Sequence, residues 1–398
     1  MKNIAVLFGG VSVEHEVSVI TGMQVVENMD KTKYNPIPVL VTKEGKFLSG
    51  DAIKDFGNIK RNKLEGAKKV FFKPVRGDFN LYTEEEQGGG LFSKKTSGTV
   101  VFAKIDAVFV ALHGTFGEDG AVQGILQFIG IPYTGCAVNA AAVGMDKVIM
   151  KDVFKSQNIP MTDYFYFYRD FYKFDDVKGE AEKIGYPVFV KPANLGSSVG
   201  ISKAKNEAEL KDAVEVAMHY DRKIIVEKSV EKPREINCAV LGYEDDLQAS
   251  LTEEPITWED FLTYDDKYKS GGKGSKSVGM KNQKKNLPAN IPDEMTEEVK
   301  RLAKLAFRSI DAMGVARIDF LVDENEKVYV NEINTLPGSI AFYLFEPMGI
   351  SFKELIDRQI DLAFRRSKEF EKNIYSYDTD LFNSTSYGAK LWWLKMRF

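Results

Sequence analysis

The sequence predicts a protein of class α/β and α+β: an open parallel α/β layer at the N-terminus, followed by further mixed domains. Three observations carry that reading. Ile4 to Phe8 is an apolar run that stops at Gly9-Gly10, and Ser18 to Asn28 then follows with roughly helical spacing. Such a strand, tight turn and helix is the opening unit of a parallel layer. Ala107 to Leu112 repeats the buried-strand pattern and again runs into a glycine-rich stretch, His113-Gly114-Thr115-Phe116-Gly117-Glu118-Asp119-Gly120. Finally, 398 residues at roughly 100–200 per domain make two or three domains.

The elements follow in order. Pro36 to Val41 reads as the second strand, and Lys43 to Ser97 as irregular, polar insertions or a loose hairpin on the rim. Ala121 to Ile129 is helical by periodicity, with extended structure resuming at Ile131-Pro132-Tyr133. A new unit begins near Cys136: a helix from Asp146 to Gln157, then strands at Tyr164 to Tyr168, Pro187 to Val190 and Lys223 to Glu227. Beyond them come a strand at Ile236 to Leu241, a polar loop from Thr263 to Ser277 and a helix from Glu294 to Met313. Strands at Ala316 to Val322 and Lys327 to Ile333 close the domain.

Composition narrows the function classes. Fifty-four basic against 58 acidic side chains leave a net charge of −4, which gives no general attraction to nucleic acid or to an anionic membrane. Cys136 and Cys238 make no disulfide framework and lack metal-ligand spacing, so both read as reduced residues of a cytoplasmic protein. The best apolar run, Val100 to Leu112, is interrupted by Lys104 and Asp106 and cannot span a bilayer. No small-residue cleavage site follows the first apolar run, which argues against a signal peptide.

The strongest local chemistry lies in the last two strands. Arg317-Ile318-Asp319 and Glu332-Ile333-Asn334 each place two polar residues on one strand face, and the turn-rich Asp323 to Glu326 between them makes the strands antiparallel neighbours. Asp319, Glu332 and Asn334 then share a face, three hard oxygen donors suited to Mg²⁺. The wet face of an amphipathic hairpin accounts for the same residues. The small-residue loop Ala193 to Gly200, just after Lys191, lets backbone N–H groups approach phosphates, although it lacks Walker spacing and also reads as a plain surface loop. His113, at a strand end, reads first as structural.

Taken in order, these motifs make a set. Phe8-Gly9-Gly10 through Glu14-His15-Glu16-Val17-Ser18, His113-Gly114 with Gly117 to Gly120, and Met145-Asp146-Lys147 come first. Lys191-Pro192 through Gly196 to Gly200, Glu227-Lys228 and Tyr264 to Tyr268 follow. Arg317-Ile318-Asp319 and Asn331-Glu332-Ile333-Asn334-Thr335-Leu336-Pro337-Gly338 complete the series. The series resembles the D-alanine–D-alanine ligases of the ATP-grasp superfamily over about residues 1–362.

The resemblance implies an α/β substrate-binding domain over 1–135 followed by a two-domain ATP-grasp fold, with a central subdomain at 136–229 and a catalytic domain at 230–365. An aromatic-rich tail, 366–398, lies outside it. The resemblance implies that Lys147, Lys191 and Lys267 face the phosphates of ATP. Glu227, Lys228 and the backbone of Val230 would meet the adenine, and Glu235 the ribose. Asp319, Glu332 and Asn334 would hold two Mg²⁺ ions, or Mn²⁺ in their place. Glu16 would accept the ammonium of the first D-alanine with His113 nearby, and Ser197 and Tyr268 would link to Glu16 and fasten a lid over Thr263 to Ser277. The Arg317 guanidinium and the Gly338 N–H would face an oxyanion. The lid matches dipeptide-forming members. It further implies a cytoplasmic homodimer that feeds peptidoglycan synthesis. One departure stands out: where the usual members place serines for the second D-alanine, this chain reads Ser339-Ile340-Ala341-Phe342-Tyr343-Leu344, so Ser339 or the Tyr343 hydroxyl is expected to replace the missing donor. Two rival readings remain: a ligase with a different second amino acid, and a non-catalytic nucleotide-binding regulator. Arg317 argues against the regulator, which has no use for an oxyanion donor.

Overall fold

The computed structural model describes residues 1–87, 96–256 and 285–378. Its strands form three sheets. The first is built on β1 (Lys2–Gly9), flanked in parallel by β2 (Tyr34–Val41) and β7 (Ala107–Val110). Ile4 to Phe8 is buried throughout, as a strand covered on both faces must be. The segment 43–97, expected to be irregular insertions or a loose hairpin on the rim, extends this sheet antiparallel through β3 (Phe47–Ser49), β4 (Lys68–Phe72), β5 (Asn80–Gln87) and β6 (Thr96–Lys104). These strands lie towards the sheet edge, where charged side chains are ordinary, so their polarity hid them. Helices α1 (His15–Asn28), α2 (Phe56–Lys60) and α3 (Ala121–Ile129) belong to this region.

The second sheet, ordered β10-β9-β11-β8, contains β8 (Tyr164–Tyr168), β9 (Val188–Pro192), β10 (Ser202–Ala204) and β11 (Lys223–Lys228). Helices α6 (Phe174–Ile184) and α7 (Glu207–Met218) share its core. The third sheet, ordered β14-β13-β12-β15-β16, is antiparallel: β12 (Arg234–Tyr243), β13 (Asp246–Pro255), β14 (Lys285–Asn286), β15 (Met313–Val322) and β16 (Val328–Asn334).

Helix α8 (Asp293–Ser309) covers the third sheet with Met295, Val299, Leu302, Ala306 and Phe307, a stripe at helical spacing. Truncating a side chain such as Phe307 to alanine costs about 3–5 kcal/mol in a packed core. Helices α4 (Val138–Met145) and α5 (Lys147–Ser156) contribute Ala140, Ala141, Met150 and Phe154 to this same third core, while Val148 meets Ala193 and Ile225 of the second sheet. The last helix, α9 (Phe352–Phe370), returns to the first core through Phe352, Leu355, Ile356 and Ile360. It continues past residue 366, where the buried Arg366 donates to the carbonyls of Gly135 (2.8 Å) and Tyr133 (2.7 Å). Among the described residues, no helix is long and apolar enough to cross a membrane.

Candidate active site

All three sheets contribute to one cavity. From the first comes the turn after β1. Gly9 sits at φ +93°, and a Cβ there would lie 2.3 Å from the Val41 carbonyl oxygen. Ser18 Oγ accepts from Gly9 N (2.8 Å) and donates to Ala111 O (2.6 Å), tying the ends of β1 and β7 together. This turn presents Glu14 to the cavity, where it accepts a hydrogen bond from Ser197 Oγ. Gly114 and Gly196 make room for it: a Cβ on either would come within 2.6 and 3.0 Å of Glu14 Oε2.

Glu16, the residue expected in that role, lies elsewhere. Its carboxylate is exposed and pairs with Lys43 at 2.6 Å, and that hydrogen bond leads the effects that lower its pKa. The helical period shows why. Glu14 is in register with the buried Ser18, Thr21 and Val25 at i+4, i+7 and i+11, whereas Glu16 is turned about 200° away. That signal was readable in the sequence.

His113 lines the cavity from the end of β7 and is buried. Its Nδ1 lies 2.8 Å from Leu336 O and its Nε2 2.8 Å from Thr21 Oγ1. A carbonyl only accepts, so the proton sits on Nδ1 and Thr21 donates to Nε2. Thr21 Oγ1 in turn accepts from Ser339 N at 3.0 Å. The network pins the turn Gly338–Leu344, in which Ser339, Ile340 and Ala341 all have φ near +50°. Left-handed backbone costs about 1–2 kcal/mol per non-glycine residue, so the turn requires such anchoring. Burial beside Glu14 and His113 also acts on Glu118: it pushes the carboxyl up, opposed by His113 at 3.4 Å and reinforced by Glu14.

The third sheet supplies the hairpin of β15 and β16, in which Arg317 pairs with Asn334 and Asp319 with Glu332. Arg317 grips Asp319 with two hydrogen bonds, Nε to Oδ1 (2.7 Å) and Nη2 to Oδ2 (2.8 Å), and Asn334 Nδ2 donates to Asp319 Oδ2 (3.0 Å). Burial opposes the Arg317 charge, but the carboxylate more than compensates and raises its pKa. A bulge after Asp319 leaves Asn331 as the extra residue, so both Asn331 and Glu332 line the cavity. The register carries the polar row further, from Asp319 to Asn237 on β12 and Glu253 on β13, both lining residues. Two carboxylates and an amide on one face, without thiol or imidazole, fit a hard divalent cation.

At the other end stand the lysines. Asp146 caps α5, accepting from Val148 N (3.0 Å) and Ile149 N (3.1 Å), and holds Lys223 Nζ at 2.9 Å. The cap places Lys147 in the cavity, donating to Leu195 O (2.8 Å) and lying 3.8 Å from Glu332. Lys191 donates to Glu227 Oε2 (2.8 Å), and the wholly buried Lys151 lies 3.7 Å from Oε1. Burial alone would raise the Glu227 pKa, yet Lys151 and Lys191 outweigh it and bring the value to about 2. Lys151, one turn beyond Lys147 on α5, does not line the cavity but supports Glu227 from behind it, a placement that i, i+4 spacing could have found. Lys228 donates to the carbonyls of Gly185 (2.9 Å) and Tyr186 (3.1 Å), and Val230 and Glu235 line the cavity beside it.

Gly338 and Tyr343 line the cavity, whereas Ser339 is absent from its wall. Tyr343 OH donates to Glu253 Oε2 at 3.0 Å, which commits its only proton. The Tyr343 hydroxyl therefore has no free proton for the donor role expected of it. Lys267, Tyr268 and the lid expected over Thr263 to Ser277 lie outside the described residues, as does the tail beyond residue 378.

Comparison with known proteins agrees with this geometry. Residues 3–136 match the family described as D-ala D-ala ligase N-terminus, and residues 153–361 match D-ala D-ala ligase C-terminus. A D-alanine–D-alanine ligase of Thermosipho africanus is 39% identical over 96% of this chain and 99% of its own length. One from Acetivibrio thermocellus is 41% identical over 95% and 99%. Among solved structures, the D-alanine-D-alanine ligase from Coxiella burnetii superposes with a TM-score of 0.76 at 29% identity, covering 93% of this chain and 96% of its own. The VanG D-Ala:D-Ser ligase from Enterococcus faecalis gives 0.74 at 28% identity, covering 91% and 99%.

Proposed function

The chain belongs to the D-alanine–D-alanine ligase family, and on that premise we propose that it joins two D-alanines at the expense of ATP. The dipeptide supplies peptidoglycan synthesis, and ADP and phosphate are released. One observation supports this above the rest. The groups suited to phosphoryl transfer and those suited to acyl transfer line a single cavity.

Lys147 and Lys191 hold the phosphates of ATP, while Glu227, Lys228, the Val230 backbone and Glu235 frame the nucleoside. Asp319, Glu332 and Asn334 would hold Mg²⁺, or Mn²⁺, which would supply neutralisation of the phosphates and polarisation of the transferred group. Glu14 takes the ammonium of the first D-alanine, in the place first expected of Glu16. That D-alanine's carboxylate oxygen attacks the γ-phosphorus in line, the bond to ADP breaks, and an acylphosphate results. The amine of the second D-alanine attacks the acyl carbon. Arg317 and the Gly338 N–H receive the oxyanion. Arg317 has five N–H donors and spends two on Asp319, so it can hold carboxylate and oxyanion together. Collapse expels phosphate, and the amine loses its proton. Ser197 donates to Glu14 and so holds the loop after β9 against the first-substrate end of the cavity. We assign the enzyme to the cytoplasm as a homodimer. The exposed Ile125 and Phe128 on α3 suit such a contact.

The test is phosphate release from ATP and Mg²⁺ against a panel of D- and L-amino acids, with products identified by mass. D-alanyl-D-alanine is expected. No release with any amino acid would leave a nucleotide-binding module, and a mixed dipeptide would leave a ligase of altered specificity.

A further inference from the structure

We propose that Lys151 is a positioning residue for ATP: from behind the cavity wall it balances Glu227, so that Lys191 can turn from Glu227 to a phosphate. The inference rests on the ligase reading above. Lys151 stands on α5 three residues after Val148, which packs with Ala193 and Ile225 of the second sheet. That i, i+3 spacing turns Lys151 toward the same sheet. Register decides what it meets there. Glu227 on β11 pairs with Tyr164 on β8, and Lys191 on β9 pairs with Ile225, two residues from Glu227. Glu227, Tyr164 and Lys191 therefore share the face that α5 covers.

Packing alone does not account for a charge at this position. Lys151 is 1% exposed, and its ammonium has no hydrogen-bond partner among the described residues. Glu227, at 3.7 Å, is the one carboxylate within ion-pairing distance of it among those residues, and the Tyr164 ring lies 5.5 Å away. A buried ammonium held this loosely is unfavourable, and a methionine would fill similar space without that desolvation.

Charge arithmetic does account for it. Lys191 Nζ donates to Glu227 Oε2 at 2.8 Å, while Lys151 faces Oε1. Two ammoniums thus serve one buried carboxylate. One ammonium neutralises one negative charge, so Lys191 gives up its pairing with Glu227 to the extent that it takes a phosphate. Without Lys151 that move would strand a buried carboxylate, and the penalty would appear as lost ATP affinity. With Lys151 in place Glu227 stays balanced, and the charge of Lys191 becomes available inside the cavity. Lys151 does not line the cavity, so its effect on the nucleotide passes through Glu227.

The experiment is a double-mutant cycle on ATP affinity. ATP with Mg²⁺, in the absence of D-alanine, is titrated by calorimetry into the full chain as wild type, Lys151→Met, Glu227→Gln and the double variant. Lys151→Met should fold, since Lys191 still pairs with Glu227, and should bind ATP at least about tenfold more weakly. Its KM for D-alanine, measured by phosphate release at saturating ATP, should stay within about twofold. In the Glu227→Gln background the carboxylate to be balanced is gone, so adding Lys151→Met should weaken ATP binding by less than about twofold. A packing role gives a different pattern: a lower melting temperature, an unmoved ATP Kd and equal effects in both backgrounds. An unchanged ATP Kd in a folded Lys151→Met would overturn the proposal, and so would an equal loss with and without the Glu227 charge. If Lys151→Met shows no melting transition, Lys151→Gln, equally neutral, takes its place in the cycle under the same criteria. Wild-type protein that binds no ATP would remove the parent reading, whereas wild-type binding with an unmoved Kd in the variant would remove only this one.

Discussion

Neutralising Glu14 should cripple the enzyme, while neutralising Glu16 should leave it working. Only two residues separate them, yet the structure gives them opposite surroundings. Glu14 is buried in the cavity wall and accepts from Ser197; Glu16 is exposed and paired with Lys43. Glu14→Gln preserves shape and a hydrogen-bond acceptor for Ser197 but loses the charge that meets the substrate ammonium. Hydrogen bonds to charged groups contribute about 1.5–3 kcal/mol. At about 1.36 kcal/mol per tenfold, kcat/KM for D-alanine should fall about 10- to 150-fold. Glu16→Gln removes a surface ion pair worth about 0–1 kcal/mol to stability and nothing to binding, so kcat/KM should stay within about twofold. Steady-state phosphate release at varied D-alanine measures both, with thermal melting as the folding control. A tenfold loss in Glu16→Gln beside a near-normal Glu14→Gln would refute the assignment and restore the expectation drawn from the motif.

Four further outcomes follow from the same cavity. Glu332→Gln should fold normally yet retain less than about a tenth of the wild-type rate, because an amide cannot neutralise a divalent ion equally; a higher residual rate removes Glu332 from the metal site. Arg317→Lys should depress kcat and spare ATP KM, since lysine loses the planar fork; the reverse pattern would make Arg317 a nucleotide ligand. Glu227 has its pKa lowered from 4.5 to about 2, so it contributes stability above pH 4.5, on the order of 3 kcal/mol, which is lost as the pH falls through the folded value. Urea unfolding from pH 5 to pH 2 should show that loss in wild type and a flatter limb in Glu227→Gln; identical limbs would contradict the burial of the charge. ATP binding followed by calorimetry should weaken at least about tenfold when EDTA replaces Mg²⁺, a loss set by uncompensated charge, and equal affinity in both would count against the metal reading.

How far the sequence carried the fold depended on how local each signal was. Helix α3 and strand β8 fall at the limits that periodicity and composition set, because each is a self-contained pattern. The hairpin of β15 and β16 was legible for the same reason, with its turn at Asp323 to Glu326 and its period of two. Strands β3 to β6 were not, since their polar edge residues mimic a loop. In the cavity, Arg317, Asp319 and Asn334 could be placed together because a short turn joins their strands. Glu253 and Tyr343 are 90 residues apart in the chain, and only the sheet register and the left-handed turn bring them into contact. Glu253 carries no motif, so nothing in one dimension marks it.

Charge gives a physical reason for the proposed metal and nucleotide to enter this site together. Seven carboxylates but only four cationic side chains line the described cavity. Those four are not surplus positive charge: Arg317 is committed to Asp319, Lys191 to Glu227, Lys147 to the Leu195 carbonyl beside Glu332, and Lys228 to two carbonyls. At an effective dielectric near 20, two unit charges about 4 Å apart interact by about 4 kcal/mol, so a bare polyanion placed here meets net repulsion. Divalent cations on Asp319, Glu332 and Asn334 would reverse the sign at the end proposed for the phosphates. Each ligand then raises the affinity of the other by the same factor, as linkage requires. On the proposed reading, the carboxylates that repel ATP alone would be the ones that select its metal complex, and they would place the metal where charge builds during phosphoryl transfer.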